Sequence, residues 1–168
     1  MNEALSTVED AIVSVKEISN RLSPGILTRF GLETAILSYI KKLGSFGNIN
    51  IDTDIKLPGR IKPEIETMLY RVAVEAINNA LKYANPNKIH IGIKMDETEL
   101  LAVFGDDGCG FDVKEILARK SGNGLFNMQN RVETYEGHFT ISSNPGRGTE
   151  IKIAIPAIKF MLKQTDNE

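Results

Sequence analysis

The sequence predicts an α+β domain, a two-layer α/β sandwich whose mixed, mostly antiparallel sheet is covered by helices on one face. One observation is that several short segments alternate apolar and polar side chains, as half-buried strands do, with turn-forming residues between them. Another is that the intervening segments carry apolar side chains at three- and four-residue spacing, as amphipathic helices do. A chain of 168 residues with 42% hydrophobic content can bury one core of this kind.

Two helices are predicted ahead of the first strand. Residues 1–22 carry a broad apolar stripe, so we expect an amphipathic helix that packs on the domain or pairs with a second copy as a homodimer. The next helix begins at Ser23 and Pro24, because serine can cap a helix and proline fits its first turn. It runs to Leu43 and ends at Gly44.

The remaining elements follow from changes of period along the chain. We predict strands over residues 49–55, 88–95, 99–104, 138–142 and 149–155, and helices over 62–84, 113–118 and 125–135. The last two strands are joined by the hairpin sequence Ser-Asn-Pro-Gly-Arg-Gly. Pro156 closes the sheet, and residues 161–168 are expected to form a loose tail.

Composition argues against several functional classes. The net charge is −2 and the pI about 5.8, without a basic block, so nucleic acid is not an expected partner. A single cysteine, Cys109, rules out an internal disulfide, and two histidines cannot build a zinc-type cluster. No apolar run approaches the roughly 20 residues of a membrane span. We therefore expect a cytoplasmic chain with no membrane span.

One helix combines a polar stripe with an apolar side. Glu75, Asn78, Asn79 and Lys82 are predicted to share one face of the helix over residues 62–84, opposite an apolar side that faces the core. A carboxylate, two carboxamides and an ammonium can hold a hydrated metal and a polyphosphate. They can equally be an ordinary solvated face, and the stripe alone does not decide between these interpretations.

Three glycine clusters follow this helix. Asp106 precedes Gly108 and Gly110 directly after a buried strand, where the backbone can approach a flat ligand and the carboxylate can accept an amine hydrogen bond. The cluster around Gly122 and Gly124 precedes a helix, whose free N–H groups attract phosphate. The third, Gly146-Arg-Gly-Thr, lies in the last hairpin. Each cluster alone could be a simple turn.

Neither common nucleotide fingerprint fits these glycines. A Rossmann turn would need a third glycine at position 113, which is valine, and the Gly-Lys-Ser/Thr of a Walker loop does not occur. The order of the four segments fits a different family. They are Glu75-xxx-Asn79-xx-Lys82, Asp106-x-Gly108-x-Gly110-Phe111, Gly122-x-Gly124-Leu125 and Gly146-x-Gly148-Thr149.

In this order, the segments resemble the ATP-binding catalytic domain of two-component sensor histidine kinases, over roughly residues 49–156. That domain belongs to the GHKL ATPase superfamily and has the Bergerat-type ATP-binding fold. The resemblance implies ATP and Mg²⁺ as ligands, protein histidine kinase activity, and a response regulator as the downstream partner. It also allows the chain to be the cytoplasmic portion of a membrane-anchored sensor.

The resemblance implies roles for the residues of the polar stripe. Glu75 would orient or activate the attacking group, and Asn79 would ligate Mg²⁺. Lys82 would offer positive charge to the phosphates, and Asn78 would belong to the nucleotide site. Tyr83 stands where the subfamily whose motif reads Asn-xx-Lys-His has histidine, so the role of that ring does not carry over.

It also implies roles for the glycine clusters. Asp106 would bind the adenine amino group, supported by Thr149, while Gly108 and Gly110 would shape the adenine pocket. The segment up to Ser121 would form a short lid that offers cationic side chains to phosphate. The implied lid cations are Lys114, Arg119 and Lys120, and the implied phosphate-side residues are Gly122, Gly124 and Leu125.

The amino-terminal third resembles the junction between the dimerisation and phosphotransfer hairpin and the catalytic domain. We therefore divide the chain into a second hairpin helix at residues 1–23, a catalytic domain at 24–160 and a tail at 161–168. The phosphoacceptor histidine expected on the first hairpin helix is missing, because His90 and His138 both fall on predicted strands. The expected function is a catalytic fragment that needs that histidine helix. The alternatives are a serine kinase or anti-sigma regulator of the same superfamily, and a nucleotide-binding pseudokinase.

Overall fold

The computed structural model describes residues 24–44, 49–118 and 123–157. The helix predicted over residues 1–22 and the tail at 161–168 lie outside these ranges. The described helices are α1 (Pro24–Leu43), α2 (Pro63–Asn79), a π helix (Ala80–Ala84), α3 (Val113–Ala118) and α4 (Asn123–Glu133). The strands are β1 (Asn50–Lys56), β2 (Lys88–Met95), β3 (Glu99–Asp106), β4 (His138–Ser143) and β5 (Thr149–Pro156).

The strands form one five-stranded sheet in the order β1-β2-β3-β5-β4. β1 pairs with β2 in parallel, and the other three pairings are antiparallel, so the predicted mixed, mostly antiparallel sheet is confirmed. In the register, Asp106 at the end of β3 pairs with Thr149 at the start of β5. The neighbouring β2 begins at this same end, because Ile89 pairs with Asp106.

The helices cover one face of the sheet, as predicted. Alternate residues of the central strands point into the core, and the intervening residues form a polar face with ion pairs such as Lys94 to Asp54 at 3.0 Å. α2 contributes the other side of the core with a row of buried apolar residues. That row contains Ile65, Met68, Leu69, Val72, Ala73 and Ile77. No described helix is long and apolar enough to span a membrane.

α1 is interrupted at Gly31, whose φ of 81° is outside the helical range. Arg60 secures the interruption. Its guanidinium donates to the carbonyls of Leu27 and Thr28, and it makes two 2.7 Å hydrogen bonds to Glu66, which is only 2% exposed. In an unbroken helix those two carbonyls would accept from residues 31 and 32, so arginine replaces the donors that the break removes.

The helix predicted over residues 62–84 changes geometry at its end. It is α-helical to Asn79 and then winds as a π helix to Ala84, and Asn85 in the left-handed conformation ends it with φ 46°. Sequence periodicity did not predict this change. Single π-helical turns within α-helices occur frequently at functional sites.

Candidate functional site

The polar stripe of α2 meets the amino end of α4. A Cβ atom placed on Gly124 would lie 2.5 Å from Glu75 Oε1 and 3.6 Å from Asn79 Nδ2, so α4 approaches α2 as closely as glycine permits. Among the described residues, Glu75 has no hydrogen-bond or ion-pair partner. The structure thus brings a carboxylate, a carboxamide and a helix amino terminus together.

Asn78 and Lys82, the other residues of the predicted stripe, have different neighbours from Glu75 and Asn79. The Tyr39 hydroxyl on α1 donates a 2.6 Å hydrogen bond to Asn78 Oδ1. Asn78 therefore faces α1 with its oxygen, while Glu75 and Asn79 face α4. Lys82 lies in the π helix and is exposed. The predicted stripe thus lies between two helices, with α1 beside Asn78 and α4 beside Glu75 and Asn79.

Asp106 lies at the end of β3, beside β5. Its Oδ1 accepts a 2.8 Å hydrogen bond from the Gly108 amide, and the Thr149 hydroxyl also bonds the carboxylate. Burial raises the pKa of Asp106 above its usual value, against the opposing effect of these hydrogen bonds. A partly buried carboxylate held in this way is a fixed hydrogen-bond acceptor.

The first glycine cluster is held between the π helix and the last hairpin. The Cys109 amide donates to the Ala84 carbonyl at 2.8 Å, and the Gly148 amide donates to the Gly108 carbonyl at 2.9 Å. A Cβ atom on Gly108 would collide with the Ala84 carbonyl oxygen. Gly148, with φ 66°, has no space for a side chain against the Asp106 carbonyl, so both positions require glycine.

Other predicted positions are placed as follows. Gly110 packs on the hairpin beside the Asn144 carbonyl, and Leu125 is partly buried against the core, where it anchors the first turn of α4. Lys114 is exposed on α3. Gly122, Arg119 and Lys120 lie outside the described residues, so their predicted roles stay predictions.

Ser143 is a residue of this site that sequence reasoning missed. It is 8% exposed, and its hydroxyl donates to the Gly148 carbonyl at 2.8 Å while accepting from the Phe111 amide at 2.9 Å. Its oxygen also lies 3.2 Å from Thr149 Oγ1. The signal was available, because the alternation of Phe139 and Ile141, continued by one step, puts a serine on the inward face.

Asp107 was also missed. Its Oδ1 accepts from the amides of Asn87 and Lys88, both at 2.8 Å, so it ties the glycine cluster to the start of β2. Across the described part of the chain, histidine, cysteine, aspartate and glutamate nowhere form a group of three that could hold a metal ion. A cation at this site would therefore need other ligands as well, such as carboxamide oxygens, water or phosphate.

A protein-family comparison agrees with this arrangement of segments. The profile described as "Histidine kinase-, DNA gyrase B-, and HSP90-like ATPase" matches residues 64–159, which is more than half of the chain. The chain belongs to this ATPase family. Membership implies ATP binding, and the described sheet and helices are consistent with the Bergerat fold of the family.

Solved structures show the same fold. The histidine kinase domain from the Erythrobacter litoralis EL346 blue-light activated histidine kinase superposes with a TM-score of 0.64 at 19% identity, over 76% of this chain and 60% of that one. The Acinetobacter baumannii histidine kinase AdeS superposes with a TM-score of 0.64 at 14% identity, over 93% of this chain and 83% of that one. For the mycobacterial sensor histidine kinase MprB the TM-score is 0.54 at 20% identity, over 72% of this chain and 89% of that one.

The extent of the match differs between these structures. The chain spans 60% of the Erythrobacter domain and 39% of the longer Erythrobacter kinase. The family match makes the chain a histidine kinase-, DNA gyrase B- and HSP90-like ATPase domain, and the superpositions show that it shares the fold of these histidine kinase structures.

Proposed function

We propose that this ATPase domain binds Mg-ATP and transfers the γ-phosphoryl group to a histidine on a helix supplied from outside the described residues, for relay to a response regulator. The observation that carries the proposal is the approach of Gly124 to Glu75 and Asn79. It places a helix amino terminus, which favours anions, beside a carboxylate and a carboxamide. Phosphoryl transfer depends mainly on such positioning and on charge neutralisation.

Asp106 is proposed to recognise adenine. Its carboxylate can accept a hydrogen from the exocyclic amine, and Gly108 and Thr149 fix its orientation through their own hydrogen bonds. Ser143 supports this arrangement indirectly, because it holds the hairpin strand that carries Thr149. The glycines of this cluster pack directly against neighbouring backbone, so they hold the segment that follows Asp106 in place.

Asn79 is proposed to hold Mg²⁺ through its side-chain carbonyl oxygen. Mg²⁺ commonly takes few protein ligands and completes its shell with water and substrate phosphates. That preference fits a site whose described residues offer one carboxamide rather than a cluster of carboxylates. The ion would neutralise phosphate charge, and Lys82 on the adjoining π helix would add a cation.

Glu75 is proposed to orient the attacking imidazole by accepting a hydrogen bond from its N–H group. Neither described histidine is placed to be the acceptor. His90 contacts Asp52 at 3.1 Å on the polar face of the sheet, away from α2, and His138 is exposed at the start of β4. The acceptor would then come from a histidine helix of the same kinase.

Exchange of a single carboxyl group tests the adenine assignment. Asp106→Asn should weaken ATP binding at least about tenfold, because the amide replaces one acceptor oxygen by a donor at the base. Isothermal titration calorimetry measures the dissociation constant, and Asp52→Asn on the polar sheet face is the matched control. Equal ATP affinity in wild type and Asp106→Asn would contradict the assignment.

Radiolabelling tests the source of the acceptor. Incubating the chain with γ-labelled ATP and Mg²⁺ should leave no acid-labile, base-stable phosphate on it. Adding a hairpin that carries the phosphoacceptor histidine should produce such a label on the hairpin. Phosphate found on His90 or His138 of this chain would overturn the proposal that the acceptor histidine lies on a separate helix.

A further inference from the structure

A hydrogen bond connects α1 to the catalytic helix next to the site. Tyr39 and Asn78 are 39 positions apart in sequence, and the hydroxyl donates to the carboxamide oxygen at 2.6 Å. Tyr39 is 3% exposed and belongs to the main core cluster, so its ring is held by packing. A buried tyrosine whose hydroxyl is hydrogen-bonded is a rigid donor.

The partner of that donor is a residue of the polar stripe. Asn78 directly precedes Asn79 and lies three positions after Glu75. A carboxamide presents an oxygen acceptor at one end and an NH₂ donor at the other. Because the Tyr39 hydroxyl engages the oxygen, the NH₂ group is the end that remains for a second partner.

We propose that Tyr39 is a positioning residue that fixes the Asn78 carboxamide with its NH₂ end available to an anionic oxygen of the nucleotide. The inference rests on the proposed Mg-ATP site and adds to it a residue of α1, outside the matched family segment at 64–159. Because the carboxamide is already held in one orientation, nucleotide binding loses less side-chain conformational entropy. Nucleotide affinity then depends on how α1 is seated on α2.

Removing the hydroxyl alone gives the first test. Tyr39→Phe keeps the ring in the core and leaves the carboxamide free to rotate, so the dissociation constant for Mg-ATP should rise about fivefold. The matched control is Tyr70→Phe on α2. Tyr70 is 6% exposed, and removal of its hydroxyl should leave the dissociation constant unchanged.

A double-mutant cycle separates positioning from a general effect on stability. Asn78→Ala should weaken Mg-ATP binding. Adding Tyr39→Phe to Asn78→Ala should weaken it no further, because the proposed effect of Tyr39 on the nucleotide passes through Asn78. Asn78→Asp should weaken binding more than Asn78→Ala, since it keeps the acceptor for Tyr39 but turns the donor into an anion.

The outcomes distinguish this inference from the proposed function. If wild type binds Mg-ATP while Tyr39→Phe lowers only the melting temperature, the hydroxyl is merely structural and the inference is wrong. Additive effects of the two substitutions on affinity would also overturn it. Absence of Mg-ATP binding by the wild-type chain would overturn the proposed function itself, and this inference with it.

Discussion

Gly124 is the residue at which the two halves of the candidate site meet. A methyl group there would press on the Glu75 carboxylate, which is the movable end of a flexible side chain, rather than on backbone. Gly124→Ala should therefore displace Glu75 and leave the fold intact. Because a misplacement of about 1 Å can cost roughly a hundredfold in rate, we expect phosphotransfer to a supplied histidine hairpin to slow at least about tenfold.

The control for this prediction is Gly59→Ala, since an added Cβ there meets nothing within 4 Å. Its phosphotransfer rate should equal that of wild type. Melting temperatures of both variants show whether the fold is affected. A Gly124→Ala protein with an unchanged transfer rate would show that Glu75 has no positioning role.

Asp106 gives a prediction about pH. Burial raises its folded-state pKa, so its contribution to stability is fully present below the unfolded-state value of 3.8 and is lost as pH rises through the folded-state value. Asp106→Asn has no such titration. The free energy of unfolding of Asp106→Asn minus that of wild type should therefore increase between about pH 4 and about pH 7. Urea denaturation measures this difference, and a decrease over that range would contradict the assigned burial effect.

Residue-level features of the site were partly predictable. The order of the glycine clusters and Asp106 could be obtained from sequence because each is a local motif. The Tyr39 to Asn78 hydrogen bond could not, since it joins residues 39 positions apart and depends on which side of α2 packs on α1. Ser143 was missed because the predicted strand stopped one residue too early.

At the scale of elements, the break in α1 depends on the ion pair between Arg60 and Glu66. Arg60→Ala would leave the nearly buried Glu66 carboxylate without its partner and uncap two carbonyls of α1. We expect a loss of about 2 kcal/mol in the free energy of unfolding, below the range for fully buried pairs because Arg60 is partly exposed. Chemical denaturation measures it.

Lys56→Ala provides the comparison for that loss. Lys56 pairs with Asp54 at 3.0 Å, but its side chain is 70% exposed, so Lys56→Ala should change the free energy of unfolding much less than Arg60→Ala does. Equal effects of the two substitutions would show that the Arg60 pair has no special structural role.

The sequence predicted the positions of most elements, because each carries a strong hydrophobic period. It did not predict two local departures from regular geometry, the break at Gly31 and the π helix after Asn79. Both depend on contacts with distant segments. Arg60 stabilises the first, and the Cys109 amide bonds the last residue of the second, Ala84.

At the scale of the whole molecule, the candidate site occupies one end of the two-layer sandwich. β3 ends there, β5 begins there, and the π helix leads into β2 at the same end. α4 adds its amino terminus beside Glu75. The two-layer architecture was predictable from alternation, whereas the strand order with a parallel edge pair needed the structure.

Together, these segments are proposed to form one Mg-ATP site. The decisive experiment is a titration of the chain with ATP in Mg²⁺ and again in EDTA, for wild type and for Asn79→Ala. We expect one bound ATP per chain, tighter binding with Mg²⁺ for wild type, and an Asn79→Ala protein whose weaker affinity no longer depends on Mg²⁺. Wild-type affinity that is identical in Mg²⁺ and EDTA, or no ATP binding at all, would contradict it.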